Sequence, residues 1–292
     1  MRRVLILGAH GQLGKELQAA FCDAGEIIAF DRAACDLSNP SGIRAAIRET
    51  RPGVILNAAA YTAVDRAESE PDLAMRINGE APGIIAEEAK KIGALLVHYS
   101  TDYVFDGSKR EPWVEDDPVR PLNVYGATKL AGERNIHNLG GRFLIFRTSW
   151  VFAPHGNNFL RTMLRLGQER PELKIVNDQN GAPTSALALA QATRQVINSL
   201  ADRSPEDLNG IYHITCSGET TWAGFAQAIF ARAHAGKSWA TVIGIPSSAY
   251  PTAAMRPANS VLSNRKLKAA FDVKLPSWEE ALGKTLRTLE LQ

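Results

Sequence analysis

Cysteine is scarce in this sequence, and the three that occur are Cys22, Cys35 and Cys216. Three widely spaced thiols do not suggest a disulfide framework, and no group of histidines and cysteines has the spacing of metal ligands. Reduced thiols are typical of a cytosolic protein, so we expect a cytoplasmic location.

Strong charge of one sign and long apolar runs are also missing. The formal net charge is +2 and no long basic run occurs, which argues against nucleic-acid binding. No uninterrupted apolar stretch approaches the ~18 residues of a membrane span, so we expect no membrane partner. Gly8 and Gly11 end the first apolar run, which leaves it too short for a signal peptide.

A glycine pattern follows that first apolar run, residues 4–7. Gly8, Gly11 and Gly14 are spaced three apart, and residues 15–21 after them are typical of a helix. In such a unit the first glycine allows the tight turn, and the second lets the backbone approach a pyrophosphate. The third lets the helix pack closely on the strand. The pattern predicts a dinucleotide site, with an ordinary strand–helix turn as the alternative.

An acidic residue, Asp31, follows the second predicted strand, residues 26–30. A carboxylate about 20 residues after the glycines accepts hydrogen bonds from the adenosine ribose and favours NADH. Arg32 beside it could bind the 2′-phosphate of NADPH, although a solvated charge at the strand end is an equal alternative. The sequence therefore predicts a nicotinamide cofactor and leaves the choice between NADH and NADPH open.

Apolar strands alternate with helices through the first half of the chain. This rhythm predicts an α/β fold with a doubly wound parallel Rossmann sheet. We assign residues 1–150 to an NAD(P)-binding domain and residues 151–292 to a smaller C-terminal substrate-binding α/β domain. A segment near 174–215 is expected to return to the first domain.

Ligands of doubly wound sheets bind beyond the carboxyl ends of the strands. Gly8, Asp31, Asn57 and Thr101 each follow or end a predicted strand. The sequence therefore predicts that these residues meet at one edge of the sheet and form the site there.

Tyr125 and Lys129 lie four residues apart in a predicted helix with Asn123 as its N-cap, so they share one face. A phenol with an ordinary pKa near 10 is a poor acid at neutral pH. A lysine ammonium one turn away is expected to lower that pKa, and Thr101 could place a hydroxyl beside the phenol. The combination predicts a proton donor for a carbonyl reduction. A surface pair on an amphipathic helix is the alternative.

Seven short stretches occur in a characteristic order. They are Gly8-x-x-Gly11-Gln12-Leu13-Gly14, residues 57–65, residues 100–107, Pro121-Leu122-Asn123-Val124-Tyr125-Gly126-x-x-Lys129, residues 147–151, residues 177–184 and Arg256-Pro257-x-Asn259-Ser260. In this order the chain resembles the extended short-chain dehydrogenase/reductases, and within them the dTDP-4-dehydrorhamnose reductases. The resemblance covers nearly the whole chain.

This resemblance implies roles for individual residues. The catalytic set would be Thr101, Tyr125 and Lys129. The cofactor-binding set would be Gly8, Gly11, Gln12, Leu13, Gly14, Asp31, Asp36, Leu37, Ala60, Tyr61, Thr62, Tyr125 and Lys129. The residues that meet a dTDP-sugar would be Thr101, Asp102 and Trp150, with Asn157, Asn158, Gln179 and Arg256 as weaker candidates.

The resemblance also implies a reaction. It is the NAD(P)H-dependent reduction of the C4 keto group of dTDP-4-dehydro-6-deoxy-L-mannose to dTDP-L-rhamnose, a precursor of cell-surface polysaccharide such as the O-antigen of lipopolysaccharide. Lys129 would also hold the nicotinamide ribose, and Thr101 would hydrogen-bond the developing alkoxide. Related dehydratases carry Asp-Glu after the catalytic threonine. Here Tyr103 follows Asp102, which favours reduction over loss of water.

Two other functions stay open on the sequence. One is a non-catalytic NADP-binding regulatory subunit, against which the intact set of Thr101, Tyr125 and Lys129 argues. The other is a reductase of a different nucleotide sugar. A homodimer is compatible with the sequence. A Mg²⁺ ion between subunits, held by carboxylates such as Glu16, is left open although no ligand spacing supports it.

Several candidate residues have structural alternatives. Trp150 could belong to the core, because aromatic side chains bury large areas. Arg256 could be a surface charge, although its planar fork suits a diphosphate. Caps or loop contacts are the alternative for Asn157, Asn158 and Gln179. We expect His98 to be a hydrogen-bonded core residue and His10 to point to solvent.

Overall fold

The computed structural model describes residues 3–200, 209–233 and 239–290. The strands are β1 Val4–Leu7, β2 Ile27–Phe30, β3 Val54–Asn57, β4 Leu95–Thr101, β5 Arg142–Thr148, β6 Val151–Phe152, β7 Glu172–Val176, β8 Asn180–Gly181, β9 Thr184–Ser185, β10 Gly210–His213, β11 Thr220–Thr221 and β12 Thr241–Ile245. The helices are α1 Gln12–Phe21, α2 Pro40–Thr50, α3 Val64–Ala67, α4 Pro71–Met75, α5 Ala81–Ile92, α6 Val124–Leu139, α7 Phe159–Glu169, α8 Ala186–Ser199, α9 Trp222–Arg232, α10 Arg265–Phe271 and α11 Trp278–Glu290.

A parallel sheet of six strands, counted over the described residues, has the order β10-β5-β4-β3-β1-β2. Its central strands are buried along their whole length, because helices cover both faces. Successive side chains of β1 alternate between two cores: Ile6 packs with Leu17 of α1, and Leu5 packs with Ile47 of α2. The predicted doubly wound parallel sheet is confirmed.

The chain reverses its direction of winding between β1 and β3. From β1 it moves outward to β2, then crosses back to β3 and continues through β4 and β5 on the other side. Doubly wound sheets bind their ligands in the crevice at this reversal, beyond the carboxyl ends of the strands. The glycine turn follows β1 and residues 58–62 follow β3, so both border that crevice.

The second half of the chain contributes to the main sheet and also builds a smaller lobe. Strand β10 lies parallel to β5, and helix α8 packs on α1. Strand β7 pairs instead with β12, and helices α7 and α9 pack against this pair. The segment near 174–215 therefore joins the main sheet through the part that follows β7. The proposed boundary near residue 150 stays a prediction.

Two helical regions show how local sequence sets the elements. Asn123 caps α6 as predicted, because its Oδ1 accepts the backbone N–H of Gly126 at 2.8 Å. Pro71 and Pro82 lie in the first turns of α4 and α5, where a missing N–H costs nothing. Between these helices, Arg76–Glu80 forms a π-helical turn. The sequence also predicts a helix from Trp222 to residue 234. Helix α9 begins at Trp222 and ends at Arg232, and residue 234 lies outside the described residues.

Candidate active site

The glycine turn leaves no space for a side chain at two of its positions. Gly8 has φ of +84°, and a Cβ there would lie 2.8 Å from the backbone nitrogen of Ala59. A Cβ on Gly14 would lie 2.1 Å from the carbonyl oxygen of Gly8. The turn ends at Gly11, the N-cap of α1, which has no side chain to occupy the first N–H groups of the helix. These groups can bind a pyrophosphate.

A cavity of about 570 Å³ starts at this turn and runs to Tyr125 and Lys129. The predicted cofactor residues that line it are Gly8, Gly11, Gln12, Leu13, Asp31, Asp36, Leu37, Ala60, Tyr61, Thr62, Tyr125 and Lys129. Gly14 instead packs beneath the turn, against the carbonyl of Gly8. A single cavity that joins an uncapped helix terminus to an acidic strand end has the parts that a nicotinamide dinucleotide requires.

Two contacts between ionisable side chains lie at the Asp31 end of the cavity. The Nδ1 of His10 lies 3.2 Å from the Oδ2 of Asp31, and the Nε of Arg32 lies 3.6 Å from the Oδ2 of Asp36. The backbone N–H of Ala34 holds the pKa of Asp31 below its ordinary value. Asp31 is thus a carboxylate at neutral pH and can accept ribose hydroxyls. His10 is mostly exposed, as expected, but it also contacts the residue predicted to select the cofactor.

Thr101, Asp102 and Tyr125 meet at the carboxyl end of β4. The Thr101 hydroxyl donates to the Oδ1 of Asp102 at 2.9 Å and accepts the backbone N–H of Tyr103 at 3.1 Å. The phenol of Tyr125 lies near enough for Thr101 to oppose the rise of the Tyr125 pKa. The rings of Tyr103 and Tyr125 pack edge to face, with 6.0 Å between the ring centroids. The predicted proton donor and the Thr101 hydroxyl are therefore neighbours at the end of β4.

Lys129 is turned toward β4 and not toward the phenol. Its Nζ donates to the carbonyl oxygen of Tyr99 at 2.6 Å and lies 3.3 Å from the Nε2 of His98. Burial lowers the pKa of Lys129 to about 8, and burial raises the pKa of Tyr125 to about 12. The expectation that Lys129 lowers the pKa of Tyr125 is wrong for this structure, because the ammonium is held by acceptors on the strand.

The sequence analysis assigned His98 to the core, and it is buried as expected, but it also contacts Lys129. Its ring lies between the lysine Nζ and the side-chain amide of Asn57, whose nitrogen lies 3.1 Å from the Nδ1 of His98. Burial, together with the charge of Lys129, holds the pKa of His98 well below its ordinary value. The imidazole is thus neutral, and one of its two nitrogens can accept a hydrogen bond. The register of the neighbouring strands β3 and β4 could have paired Asn57 with His98. It could not have shown that His98 contacts Lys129.

Asn78 is a second residue that sequence reasoning missed. It is buried in the π-helical turn, where its Oδ1 accepts the N–H of Tyr61 at 2.8 Å and its Nδ2 donates to the carbonyl of Tyr61 at 3.0 Å. Its Nδ2 also lies 3.3 Å from the hydroxyl of Thr128, next to Lys129 in α6. One amide therefore ties the cofactor-lining loop at Tyr61 to the helix that carries Tyr125.

We expect Asn78→Ala to lower the free energy of unfolding by about 1–3 kcal/mol, because it leaves buried backbone groups of Tyr61 without partners. The KM for the cofactor should rise as the loop at Tyr61 loosens. Urea denaturation and steady-state kinetics measure the two effects. The control is Asn198→Ala, on an exposed turn of α8, which should change stability by less than about 0.5 kcal/mol. Equal effects of both substitutions would contradict the assigned role.

Trp150 packs in a rigid position after β5. It has φ of +46°, and its ring stacks on Trp222 with 3.5 Å between the centroids. A Cβ on Gly181 would lie 2.4 Å from the ring, so the backbone of Gly181 packs closely against Trp150. Trp150 is half-buried. Trp150 is thus part of an aromatic stack with Trp222. Its contact with substrate stays a prediction.

The weaker substrate candidates do not form one cluster. Asn158 caps α7 through the N–H of Arg161, and its Nδ2 donates to the Oε1 of Gln12 at 2.8 Å, on the cofactor side. Asn157 is exposed and Gln179 is half-buried. Of these residues, Asn158 has the structural role given above as the alternative to substrate binding, because it caps α7.

The guanidinium of Arg256 forms an ion pair with Asp65. The Nη2 of Arg256 lies 2.7 Å from the Oδ2 of Asp65, and its Nη1 donates to the carbonyl of Ala254 at 2.9 Å. Arg256 also lies near the phenol of Tyr103, whose ring packs against the predicted proton donor Tyr125. The guanidinium of Arg256 is thus already bound to a carboxylate. That carboxylate would compete with a diphosphate for the guanidinium.

Neither a metal centre nor a membrane span is found in the part of the chain that the structure describes. Within it, no group of three histidine, cysteine or acidic residues could hold a metal ion. Glu16, considered for a bridging metal, pairs with His155 at 2.8 Å. None of the described helices combines the length and the apolar character needed to cross a bilayer.

Comparison with known proteins gives consistent matches. Residues 1–291 match the family model described as RmlD substrate binding domain. The dTDP-4-dehydrorhamnose reductase of Burkholderia thailandensis is 48% identical, covering 98% of this chain and 99% of that protein. The enzyme of the same name from Escherichia coli K12 is 46% identical, covering 98% and 97%. The crystal structure of dTDP-4-dehydrorhamnose reductase from Bacillus anthracis in complex with NADP has a TM-score of 0.92 and 38% identity, covering 98% and 99%.

Proposed function

The chain belongs to the dTDP-4-dehydrorhamnose reductase family, and on that premise we propose that it reduces the C4 keto group of dTDP-4-dehydro-6-deoxy-L-mannose. The product is dTDP-L-rhamnose, and the reaction is the last step of its synthesis. NADH or NADPH is the reductant. One observation carries the proposal: a single cavity joins the glycine turn and Asp31 to Tyr125 and Lys129.

The chemistry divides between the cofactor and the chain. When bound, the reduced nicotinamide supplies the hydride that reduces the carbonyl carbon. Tyr125 donates its phenolic proton to the carbonyl oxygen, and Thr101 lies next to that phenol. Lys129 has three N–H donors, of which two face Tyr99 and His98, so one is available to a cofactor hydroxyl.

The neighbourhood of Asp102 supports reduction over elimination of water. A dehydration needs a second carboxylate to take the proton from the sugar, and the residue in that place is Tyr103. Burial raises the pKa of its phenol, and the nearby Arg256 opposes that rise only in part. A neutral, half-buried phenol is a poor base, so this site lacks the second group that dehydration requires.

The proposal is tested by following NADH oxidation while the preceding enzymes generate the 4-keto sugar. Consumption of NADH with formation of dTDP-L-rhamnose supports it. The competing function, a non-catalytic NADP-binding regulatory subunit, requires tight cofactor binding without consumption. If another 4-keto nucleotide sugar is reduced with a much higher kcat/KM, the substrate assignment is wrong.

Cofactor choice gives a separate prediction at Asp31. We expect Asp31→Ala to raise the ratio of kcat/KM for NADPH to that for NADH by about tenfold, because the carboxylate accepts ribose hydroxyls and repels a 2′-phosphate. Arg32→Ala is the matched control and should shift the ratio the other way, because it removes a cation beside the same site. A ratio unchanged by both substitutions would contradict this assignment of the adenosine pocket.

Three further proposals concern the setting of the enzyme. Cys22, Cys35 and Cys216 are free thiols, which supports a reducing, cytoplasmic compartment.

A homodimer is proposed, and light scattering coupled to gel filtration tests it. Delivery of the product to lipopolysaccharide is proposed from the sugar, and loss of O-antigen in a deletion strain tests it.

A further inference from the structure

Asp102 is a buried carboxyl group without a cationic partner. It is 2% exposed, and its Oδ1 accepts from the hydroxyl of Thr101 at 2.9 Å. The hydroxyl of Ser260 lies near the carboxyl group, but it donates to the carbonyl of Asn180 at 3.2 Å. Among the described residues, Oδ2 is therefore left without a donor.

The hydroxyl of Thr101 has one hydrogen and two lone pairs. Its hydrogen is committed to the Oδ1 of Asp102, and one lone pair accepts the N–H of Tyr103. While Asp102 is ionised, the hydrogen of Thr101 therefore points away from a substrate carbonyl. An ionised Asp102 thus withholds the hydroxyl that would stabilise the oxygen on which charge develops.

A proton on Asp102 reverses this hydrogen bond. The carboxyl O–H then donates to Thr101 and occupies its second lone pair. The hydrogen of Thr101 is released and can point to the oxygen that gains charge in the reduction. No group other than the carboxyl has to change its protonation state.

We propose that protonation of Asp102 turns the Thr101 hydroxyl toward the substrate carbonyl, and that its ionisation turns this hydroxyl away. Asp102 is a positioning residue in this scheme, because it acts through Thr101. The inference rests on the proposed function and adds to it a control of proton direction that the triad alone does not contain.

The surroundings of Asp102 favour such a change at neutral pH. Burial raises the pKa of Asp102 to about 7, against which the hydroxyls of Ser260 and Thr101 act. The ionisable groups nearby are Tyr103 on its own turn and Tyr125 on α6, both of which stay neutral because burial raises their pKa values. Arg256, on the facing loop, is committed to Asp65.

The first test is the pH profile of kcat for the wild type, Asp102→Asn and Asp106→Asn. An asparagine amide donates to Thr101 as the protonated carboxyl does, so it holds the productive direction at every pH. The wild type should lose at least about tenfold in kcat between pH 6 and pH 8, and Asp102→Asn about twofold. The twofold loss of kcat in Asp102→Asn comes from deprotonation of Lys129, whose pKa is about 8. Asp106 lies in an exposed turn, where its Oδ1 accepts the backbone N–H of Ser108. The pH profile of Asp106→Asn should match that of the wild type.

The second test does not depend on turnover. Asp102 binds its proton more tightly in the folded chain than in the unfolded chain, so the wild type loses stability as the pH rises from about 4 to about 7. Asp102→Asn lacks this loss. The urea midpoint of the variant should therefore gain on that of the wild type across this interval and level off above it.

The two tests separate the possible failures. A wild type that does not reduce the 4-keto sugar overturns the proposed function, while the urea experiment still reports whether Asp102 titrates near neutrality. An alkaline loss of kcat that persists in Asp102→Asn overturns the proton-direction scheme. A folded Asp102→Asn that is inactive from pH 6 to pH 8 overturns it as well, as does a midpoint difference that is independent of pH.

Discussion

Tyr125→Phe should lower kcat by about 10²–10⁴-fold and leave the affinity for NADH nearly unchanged. The substitution removes the hydroxyl that gives its proton to the carbonyl oxygen and keeps the ring that packs against Tyr103. The loss belongs to the transition state, because the phenol contributes only when charge develops on the oxygen. Single-turnover oxidation of NADH measures the chemical step, and fluorescence titration measures cofactor binding.

The matched control for this experiment is Tyr250→Phe. Tyr250 is 57% exposed and does not line the cavity, so its kcat should equal that of the wild type. If Tyr125→Phe turned over at the wild-type rate under saturating NADH, another group would have to supply the proton. A parallel loss of cofactor affinity would point to a collapse of the cavity and not to a missing acid.

Glu133→Gln should lower the free energy of unfolding by about 3–5 kcal/mol, because it breaks a buried ion pair and leaves a buried charge unpaired. Glu133 and Arg147 are 2–3% exposed, and the Nη2 of Arg147 lies 2.7 Å from the Oε2 of Glu133. The Oε1 of Glu133 also accepts from the hydroxyl of Ser100. Urea denaturation at constant pH measures the loss.

This pair also connects the parts of the site. Glu133 lies one turn after Lys129 in α6, and Ser100 lies one residue before Thr101 in β4, so the carboxylate holds the helix on the strand. The double substitution Glu133→Leu with Arg147→Met should recover part of the stability, because no unpaired charge remains. Activity should not recover with it, since the tie to Ser100 is still missing.

An exposed ion pair provides the control for these values. Glu169 pairs with Arg165 one turn away on α7, and both side chains are more than half exposed. Glu169→Gln should change the free energy of unfolding by less than about 1 kcal/mol. A loss at Glu133 as small as that at Glu169 would contradict the assigned role of the buried pair.

The parts of the site that were predictable from sequence are those set by local geometry. The glycine at position 8 is required by a positive φ, and the glycine at position 14 by the approach of one turn of backbone to another. Spacing by one helical turn places Tyr125 and Lys129 on the same face of α6. Apolar runs of four to seven residues between helices predict buried parallel strands.

Lys129 shows where that reasoning stops. The helical spacing places its Cα correctly, but a long, flexible side chain takes the strongest acceptors within reach. Those acceptors are the carbonyl of Tyr99 and the ring of His98, which come from β4 about 30 residues earlier in the chain. Arg256 follows the same rule, because its partner Asp65 is 191 residues away.

The fold, the glycine turn, the acidic strand end and the presence of a phenol, a hydroxyl and an ammonium at one edge of the sheet were predictable from the sequence. These follow from steric limits on the backbone and from hydrophobic periodicity, both of which act over a few residues. Which donor meets which acceptor depends on tertiary packing. Ser260 lies beside Asp102, and Asn78 reaches Tyr61, because packing brings distant segments together and buried polar groups bond to whatever it places there.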